Sequence, residues 1–142
     1  NGTQAIFYNR SDVLFLSLHG DPMHAFPHFL GHADEVGLAE GEGFNCNYPM
    51  PPGTSFSKWS KVLEAALSQI SKFGADALIV SLGVDTFERD PISFFKLASD
   101  DFIKMGESIA SLNLPTLFVM EGGYAVEEIG INTVNVLMGF EA

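Results

Sequence analysis

A tyrosine follows two glycines where an apolar segment ends, in the sequence Glu121-Gly122-Gly123-Tyr124. A backbone bent by glycines can approach a ligand closely, and a tyrosine hydroxyl can donate a hydrogen bond to an oxygen that gains negative charge during acyl transfer. A turn of this kind can also simply terminate a strand. It is therefore a candidate for oxyanion stabilisation that needs partners from elsewhere in the chain.

Two other apolar segments end in chemically useful groups. His19-Gly20 follows the run at residues 12–18, and Gly83-Val84-Asp85 follows the run at residues 77–82. Because the carboxyl ends of parallel strands share one edge of a sheet, an imidazole, a carboxylate and a phenol are expected to meet in one crevice. Asp85 is the sharpest candidate, since a carboxylate just beyond a buried strand needs a cation, a cluster of donors or water. Capping of the next turn is its alternative role.

All four histidines lie between residues 19 and 32. Three of them have the spacing of metal ligands on one helix face: His24, His28 and His32. Pro22 and Pro27 oppose a helix there, so these three are predicted to be loop residues. Phe26 and Phe29 in the same loop can line an apolar wall or pack the loop onto the body of the domain.

The remaining pattern predicts an α/β domain. Apolar runs predict strands at residues 12–18, 77–82 and 115–120, and helical periodicity predicts helices from Ser57 to Gly74, from Ser99 as N-cap, and from Val126 to about Phe140. Strands that alternate with helices imply right-handed crossovers and a mainly parallel sheet, although three strands are few for one. The segment from Asp21 to Ser55 is predicted to be a functional loop or linker.

Length and composition bound the class of protein. The 142 residues fit one domain, residues 1–142, and the net charge of −11 argues against a nucleic-acid partner. That charge favours a small cationic substrate, or it serves solubility. No apolar run approaches the ~20 residues that span a membrane, and no signal peptide opens the chain. The 46% hydrophobic content suggests surface that packs against another copy, and the single Cys46 fits a reducing compartment such as the cytoplasm.

Together these segments resemble the zinc-dependent histone deacetylase and acetylpolyamine amidohydrolase superfamily. The resemblance rests on motifs in the order and approximate spacing of that family: Asn1-Gly2-Thr3-Gln4, Ser17-Leu18-His19-Gly20-Asp21-Pro22, Phe26-Pro27, Gly83-Val84-Asp85-Thr86-Phe87, Asp90-Pro91 and Glu121-Gly122-Gly123-Tyr124. It implies part of an arginase-like three-layer α/β fold with a mainly parallel sheet and the N-terminal half missing. The segments His19-Gly20-Asp21-Pro22, Asn47-Tyr48-Pro49 and Met120 to Tyr124 are closer in style to the acetylpolyamine amidohydrolases.

The resemblance also implies roles for individual residues. Asp85 is expected to be one of three zinc ligands, and Tyr124 the phenol that polarises the substrate carbonyl and stabilises the oxyanion. Phe26 is expected to form an aromatic wall around the substrate, with Gly122 and Gly123 allowing close backbone approach at its base. Structural K⁺ or Na⁺ sites are implied at two groups of residues, the second binding mostly through main-chain carbonyls: Ser17 and Leu18, then Phe7, Arg10, Val13 and Phe44.

The chain departs from the family in what it contains. The histidine pair that acts as acid and base, and the segment with the other two zinc ligands, precede the Asn-Gly-Thr-Gln motif in the family, and here the sequence starts at that motif. The chain is therefore expected to be the C-terminal portion of a deacetylase of acetylpolyamines or similar acylated amines, and inactive alone. Arg89 replaces a small residue and either reshapes the rim or points to solvent.

Two alternative functions remain open at the level of sequence. One is a noncatalytic α/β fragment that self-associates through its apolar surface, and the other is a deacetylase that acts on acetyl-lysine in proteins. An unrelated α/β hydrolase that shares only the Gly-Gly-Tyr turn would leave Asp85 and the Phe26-Pro27 segment unexplained.

Overall fold

The computed structural model describes residues 2–142, so Asn1 of the Asn-Gly-Thr-Gln motif lies outside the described residues. Within it the chain divides into two compact units, Asn1–Pro52 and Gly53–Ala142. No helix among residues 2–142 is both long enough and apolar enough to cross a membrane.

The first unit contains a short helix and one pair of parallel strands. Helix α1 spans Gly2–Phe7, and strands β1 and β2 span Phe15–Gly20 and Asn45–Met50. The two strands pair in parallel from Phe15 opposite Asn45 to Gly20 opposite Met50. Between them the chain forms turns and a short 3-10 helix at Ala39–Gly41.

Strand β2 corrects the prediction that residues 21–55 form one loop or linker. Its sequence contains Pro49 and two asparagines, which are uncommon in buried strands. Both asparagines are nevertheless buried, and their amide nitrogens have partners: Asn47 Nδ2 donates to Gln4 Oε1 (2.8 Å) and Asn45 Nδ2 donates to the carbonyl oxygen of Glu35. Partners outside the strand thus allow a polar segment to form a partly buried strand.

The second unit alternates strands and helices, as predicted. Its elements are β3 (Thr54–Ser55), α2 (Phe56–Phe73), β4 (Leu78–Leu82), β5 (Phe95–Lys96), α3 (Ser99–Ala110), β6 (Thr116–Met120) and α4 (Ile129–Glu141). Strand β4 pairs in parallel with β6, from Leu78 opposite Thr116 to Leu82 opposite Met120, and β3 pairs in parallel with β5. The predicted α/β class with parallel strands is confirmed, whereas β3 and β5 were not predicted because each has only two residues.

Helix ends follow local chemistry with one correction. Helix α2 ends at Gly74, which adopts the left-handed conformation (φ 73°), and it buries Trp59, Leu63, Ala66 and Leu67 along one face. The predicted N-cap Ser99 is instead the first residue of α3, and Ala98 is the N-cap. The alanine side chain has no acceptor for the first N–H groups of the helix. The contact at this end is instead a hydrogen bond from the Ala98 N–H to Asp101 Oδ2 (2.9 Å).

The two faces of the β4–β6 pair differ in exposure. Phe118 of β6 packs edge-on against Phe140 of α4, with ring centroids 5.1 Å apart. Ile79 and Leu117 point to the opposite face, where they are 70% and 58% exposed. Parallel strands are ordinarily covered on both faces, so the second face of this pair is an apolar surface available for packing.

Candidate functional site

The carboxyl ends of β4 and β6 meet and set the candidate site. The Glu121 N–H donates to the carbonyl oxygen of Leu82 (2.9 Å), and the Val84 N–H donates to that of Gly122 (2.8 Å). These bonds continue the strand ladder past the last paired residues. The second unit thus brings the two strand ends that carry Asp85 and Tyr124 to one edge, as predicted.

Glycines make room for the Asp85 carboxylate on two sides. A Cβ atom added to Gly122 would overlap Asp85 Oδ2, and one added to Gly83 would lie 2.9 Å from Oδ1. Any side chain at Gly122 would therefore occupy the space of a carboxylate oxygen. Gly122 is needed at this position so that the turn after β6 can lie directly against Asp85.

The electrostatic environment of Asp85 favours a cation. Burial raises the pKa of the Asp85 carboxyl above its ordinary value, the charge of Asp90 adds to the rise, and a hydrogen bond from its own backbone opposes it. No lysine, arginine or histidine among residues 2–142 forms an ion pair with Asp85. A partly buried carboxylate beside a second carboxylate is stabilised in its charged form by a bound cation, so Asp85 fits as one ligand of a metal ion.

A complete metal site is not formed by the described part of the chain. Among residues 2–142, no group of three or more histidine, cysteine, aspartate or glutamate side chains could hold a metal ion. A catalytic zinc ion ordinarily has three protein ligands. Asp85 therefore fits zinc only as one member of a ligand set.

Tyr124 is held by its backbone and presents its side chain to solvent. Its N–H donates to Asp90 Oδ2 (2.7 Å), and the Ala125 N–H donates to the same oxygen (3.0 Å). The tyrosine itself is 52% exposed. A donor to a substrate oxygen must be accessible and must extend from a backbone that is held in place. The exposed phenol on this hydrogen-bonded turn meets both conditions.

Gly123 is constrained by its conformation and by its neighbours. Its φ of 156° lies at the edge of the range that favours glycine, and an added Cβ would lie 2.6 Å from Val84 Cγ2. The two glycines before Tyr124 thus let the turn pass close to the Val84-Asp85 segment. This agrees with the close backbone approach expected at Gly122 and Gly123, whose contact with substrate stays a prediction.

The third strand end has a structural role within the first unit. His19 Nε2 lies 2.8 Å from the carbonyl oxygen of Gly31, and His19 Nδ1 lies 2.7 Å from Ser17 Oγ. A carbonyl oxygen only accepts, so Nε2 donates, and in the neutral ring Nδ1 accepts the hydroxyl hydrogen of Ser17. Both ring nitrogens of His19 are thus engaged within the first unit, and its meeting with Asp85 and Tyr124 stays a prediction.

The loop after β1 carries the remaining histidines and the predicted aromatic wall. Residues 21–38 contain turns and bends but no helix, as Pro22 and Pro27 predicted. Phe26, joined to Pro27 by a cis peptide bond, is 86% exposed. It lies at a cavity of about 100 Å³ that is lined in part by Gln4, Ser17 and Asn47. Such exposure suits a wall residue, and the contact with substrate stays a prediction.

The residues predicted to bind monovalent cations lie in two places of the first unit. Ser17 and Leu18 are in the middle of β1, where the hydrogen bond to His19 leaves the lone pairs of Ser17 Oγ directed elsewhere. The second group flanks the connection from α1 to β1 and the start of β2: Phe7, Arg10, Val13 and Phe44. No ion is needed to explain these positions, and both cation sites stay predictions.

Within that second group, several polar atoms already have partners. The carbonyl oxygens of Phe7 and Phe44 accept backbone hydrogen bonds from Arg10 (3.0 Å) and Phe15 (2.9 Å). A carbonyl oxygen carries two lone pairs, so such a bond does not by itself exclude a cation. The Arg10 guanidinium pairs with Asp12, and this hydrogen bond holds the pKa of Asp12 below its ordinary value.

Two residues of the loop after β4 have contacts that were not predicted from sequence. Asp90 was noted only as part of the Asp90-Pro91 motif, yet it accepts the backbone hydrogen bonds of Tyr124 and Ala125. Arg89 forms an ion pair with Glu128 (2.8 Å) and lies over the Phe87 ring, so it joins the loop after β4 to the segment before α4. The only sequence signal for Asp90 was an acidic residue before proline, and its partners are 34 and 35 residues away.

Comparisons with known proteins find relatives over nearly the whole chain. The sequence matches the histone deacetylase domain family over residues 1–139. It is 64% identical over 141 residues to Acetylpolyamine amidohydrolase 2 of Pseudomonas aeruginosa, and 61% identical over 139 residues to the acetylpolyamine amidohydrolase of Mycoplana ramosa. These alignments cover 99% and 98% of this chain and 41% of each relative. The chain thus spans about two fifths of the length of these relatives.

A solved structure has the same arrangement. The crystal structure of acetylpolyamine aminohydrolase from Burkholderia pseudomallei superposes with a TM-score of 0.97 at 42% sequence identity. The superposition covers 99% of this chain and 41% of that chain.

Proposed function

Since the chain belongs to the histone deacetylase domain family and has part of its arginase-like α/β fold, we propose that it supplies Asp85 and Tyr124 to a zinc-dependent amidohydrolase. The proposed reaction is hydrolysis of acetylpolyamines or similar acylated amines to acetate and the free amine. The names of the relatives with 60–64% identity support this substrate class. The observation that carries the proposal is the packing of the Gly122-Gly123-Tyr124 turn against Asp85.

Each group of the chain has a defined part in this reaction. Zinc, when bound, would acidify a water molecule and polarise the amide carbonyl. Asp85 would hold the metal, because its carboxylate is partly buried beside Asp90 and forms no ion pair with a lysine, arginine or histidine among residues 2–142. Tyr124 would donate a hydrogen bond from its phenol to the carbonyl oxygen of the substrate. This hydrogen bond becomes stronger as negative charge develops on that oxygen.

The charge and the loop after β1 support the substrate class. The chain carries 18 acidic and 7 basic residues, and this excess attracts a cationic acylated amine. Phe26 would flank the aliphatic arm of such a substrate with its exposed ring. We further propose K⁺ or Na⁺ at Ser17 and Leu18, where the Ser17 hydroxyl hydrogen is directed to His19 and its oxygen lone pairs face away from that bond.

The test uses a chimera in which this chain replaces the 141 matching residues of Acetylpolyamine amidohydrolase 2 from P. aeruginosa. We expect the chimera to bind zinc and to release acetate from N-acetylputrescine, while the 142 residues alone are inactive because the resemblance assigns them a single zinc ligand. Asp85→Ala should abolish both zinc binding and activity. The exposed Asp76 provides the control, because Asp76→Ala removes the same charge from the same unit.

Three outcomes of that experiment would contradict the proposal. Activity that survives Asp85→Ala in a chimera with unchanged zinc content would remove Asp85 from the site. Activity of the 142 residues alone, abolished by Asp85→Ala, would overturn their proposed inactivity. Hydrolysis of an acetyl-lysine peptide in preference to N-acetylputrescine would support the alternative substrate class.

Self-association of this chain is a second candidate function, suggested by the exposed aliphatic face of the β4–β6 pair. Ile79 and Leu117 lie on that face, and a second copy would cover them. Sedimentation velocity at micromolar concentration should then show a dimer or larger species that Leu117→Lys dissociates. A well-behaved monomer would exclude this candidate.

A further inference from the structure

Asp90 is a buried carboxylate that accepts backbone hydrogen bonds from two separate segments. It is only 6% exposed. Its Oδ2 accepts from the N–H groups of Tyr124 (2.7 Å) and Ala125 (3.0 Å), and its Oδ1 accepts from the N–H of Ile92 (3.1 Å). Hydrogen bonds to an ionised carboxylate are stronger than those between neutral groups, so three of them fix the donors firmly.

The position of Asp90 is itself fixed by the buried part of the second unit. Its N–H donates to the carbonyl oxygen of Phe87 (3.0 Å), and its own carbonyl accepts from Ser93 (3.1 Å). Phe87 is 2% exposed, so this loop rests on a buried aromatic ring. The carboxylate of Asp90 is therefore a stationary acceptor for the turn after β6.

The hydrogen bonds that Asp90 accepts hold the backbone at Tyr124, the residue proposed to donate to the substrate oxygen. Beyond Tyr124, the carbonyl oxygen of Ala125 accepts from the N–H groups of Glu128 (3.0 Å) and Ile129 (2.9 Å), which lead into α4. Before Tyr124, Gly122 is bonded to the end of β4 through Val84. The turn is therefore hydrogen-bonded to the segment just after β4 at Gly122 and to the start of α4 at Ala125. Asp90 holds Tyr124, which lies between these two points.

We propose that Asp90 is the positioning residue for Tyr124, holding its backbone so that the phenol meets the substrate carbonyl oxygen. This rests on the proposed function of Tyr124 as the donor to that oxygen. Asp90 does not touch substrate in this proposal and acts only through the turn. A misplacement of about 1 Å can lower a catalytic rate on the order of 100-fold, so loss of the anchor should reduce kcat.

Two substitutions separate positioning from mere stability. Asp90→Ala removes both side-chain acceptors, whereas Asp90→Asn can keep one oxygen toward Tyr124 and Ala125 and loses only the acceptor for the Ile92 N–H. In the chimera, Asp90→Ala should lower kcat about 10- to 100-fold with little change in KM, and Asp90→Asn should recover much of that loss. If Asp90 served stability alone, Asp90→Ala would lower the fraction of folded enzyme, and the folded molecules would keep their kcat. Asp90→Asn would then have no loss of kcat to recover.

The 142-residue chain gives a readout that does not depend on activity. Amide hydrogen exchange measured by NMR should speed up at Tyr124 and Ala125 by 10-fold or more in Asp90→Ala, and less in Asp90→Asn. Glu88→Ala is the matched control, because it removes an exposed carboxylate from the same loop, and that side chain has no hydrogen bond or ion pair among residues 2–142. It should change neither kcat nor these exchange rates by more than about 2-fold.

Tyr124→Phe in the chimera distinguishes failure of the positioning role of Asp90 from failure of the proposed function of Tyr124. If Tyr124→Phe loses activity while folded Asp90→Ala keeps its kcat, the positioning role is overturned and the proposed function stands. If Tyr124→Phe keeps full activity, the proposed function of Tyr124 fails, and the catalytic significance of Asp90 fails with it. Unchanged amide exchange at Tyr124 in Asp90→Ala would also overturn the positioning role. Should Asp90→Ala not fold, the comparison of Asp90→Asn with Glu88→Ala decides by the same measurements.

Discussion

The turn after β6 and the loop after β1 both begin where a parallel strand ends, but they are fixed in different ways. In the turn, the candidate residue Tyr124 is itself held through its N–H by the buried Asp90. In the loop, the hydrogen bonds that hold the backbone lie away from the candidate residue Phe26. His19 bonds to the Gly31 carbonyl, and the Gly31 N–H donates to Glu35 Oε2 (2.7 Å). Phe26 in that loop presents its ring to solvent.

This difference corresponds to what each candidate residue is proposed to do. A donor to a developing charge must stand at a fixed distance from the reacting oxygen, and a fixed backbone provides that. A wall residue contributes apolar surface, for which the exact position of the ring matters less. The comparison therefore predicts that substitutions in the turn affect chemistry and that substitutions in the loop affect loop order and substrate affinity.

The largest effect is expected at Tyr124. In the chimera, Tyr124→Phe removes one hydrogen-bond donor to the substrate oxygen and should lower kcat about 10²- to 10³-fold, while the midpoint of urea unfolding stays unchanged. Tyr8→Phe, which removes a hydroxyl from the turn after α1, should leave kcat unchanged. A similar loss of kcat in both variants would break the distinction between the turn and the rest of the molecule.

The next effect concerns the contact between Gly122 and Asp85. Gly122→Ala places a methyl group in the space of Asp85 Oδ2 and should lower the free energy of unfolding by about 1–3 kcal/mol. Gly130→Ala is the matched control, because an added Cβ there has nothing within 4 Å and alanine favours a helix by about 0.5–1 kcal/mol. Urea unfolding of the chain measures both. A neutral Gly122→Ala would mean that the turn does not need to lie against Asp85.

Much of the second unit could be predicted from sequence, because its signals are local. The apolar runs of β4 and β6 and the periodicity of α2 up to Gly74 follow from neighbouring residues. Placing Asp85 and Tyr124 at adjoining strand ends then required only the rule for parallel sheets.

The remaining features depend on contacts between residues far apart in sequence. Strand β2 contains two asparagines whose amide nitrogens are hydrogen-bonded to partners outside the strand. One partner of Asn47 is Gln4, which is 43 residues away in sequence. The anchoring of Tyr124 by Asp90 spans 34 residues, and no local pattern marks it. The hydrogen bond between His19 and Gly31 was not predicted for the same reason, since it cannot be inferred from the residues beside His19.

A smaller effect is expected from the residue that holds the loop after β1. His19→Ala removes the hydrogen bonds to Ser17 and Gly31 and should cost about 1 kcal/mol in the free energy of unfolding. It should also increase the rate of proteolytic cleavage within residues 21–38 several-fold. His24→Ala is the control, because that exposed side chain makes no hydrogen bond among residues 2–142. Equal cleavage of both variants would show that His19 does not order the loop.

The smallest effect on stability is expected at Phe26, where the comparison is sharpest. Its ring is 86% exposed, so Phe26→Ala should change the free energy of unfolding by less than about 0.5 kcal/mol. In the chimera the same variant should raise KM for N-acetylputrescine with little change in kcat, since a wall contact is made equally in the ground state and the transition state. Phe29→Ala removes a ring of similar exposure (76%) from the same loop and should leave KM unchanged. If both variants raise KM alike, the loop contributes general apolar surface and Phe26 has no specific place at the substrate. If Phe26→Ala lowers kcat as strongly as Tyr124→Phe, exposure and backbone anchoring do not separate the two kinds of residue, and the contrast between the turn and the loop is wrong.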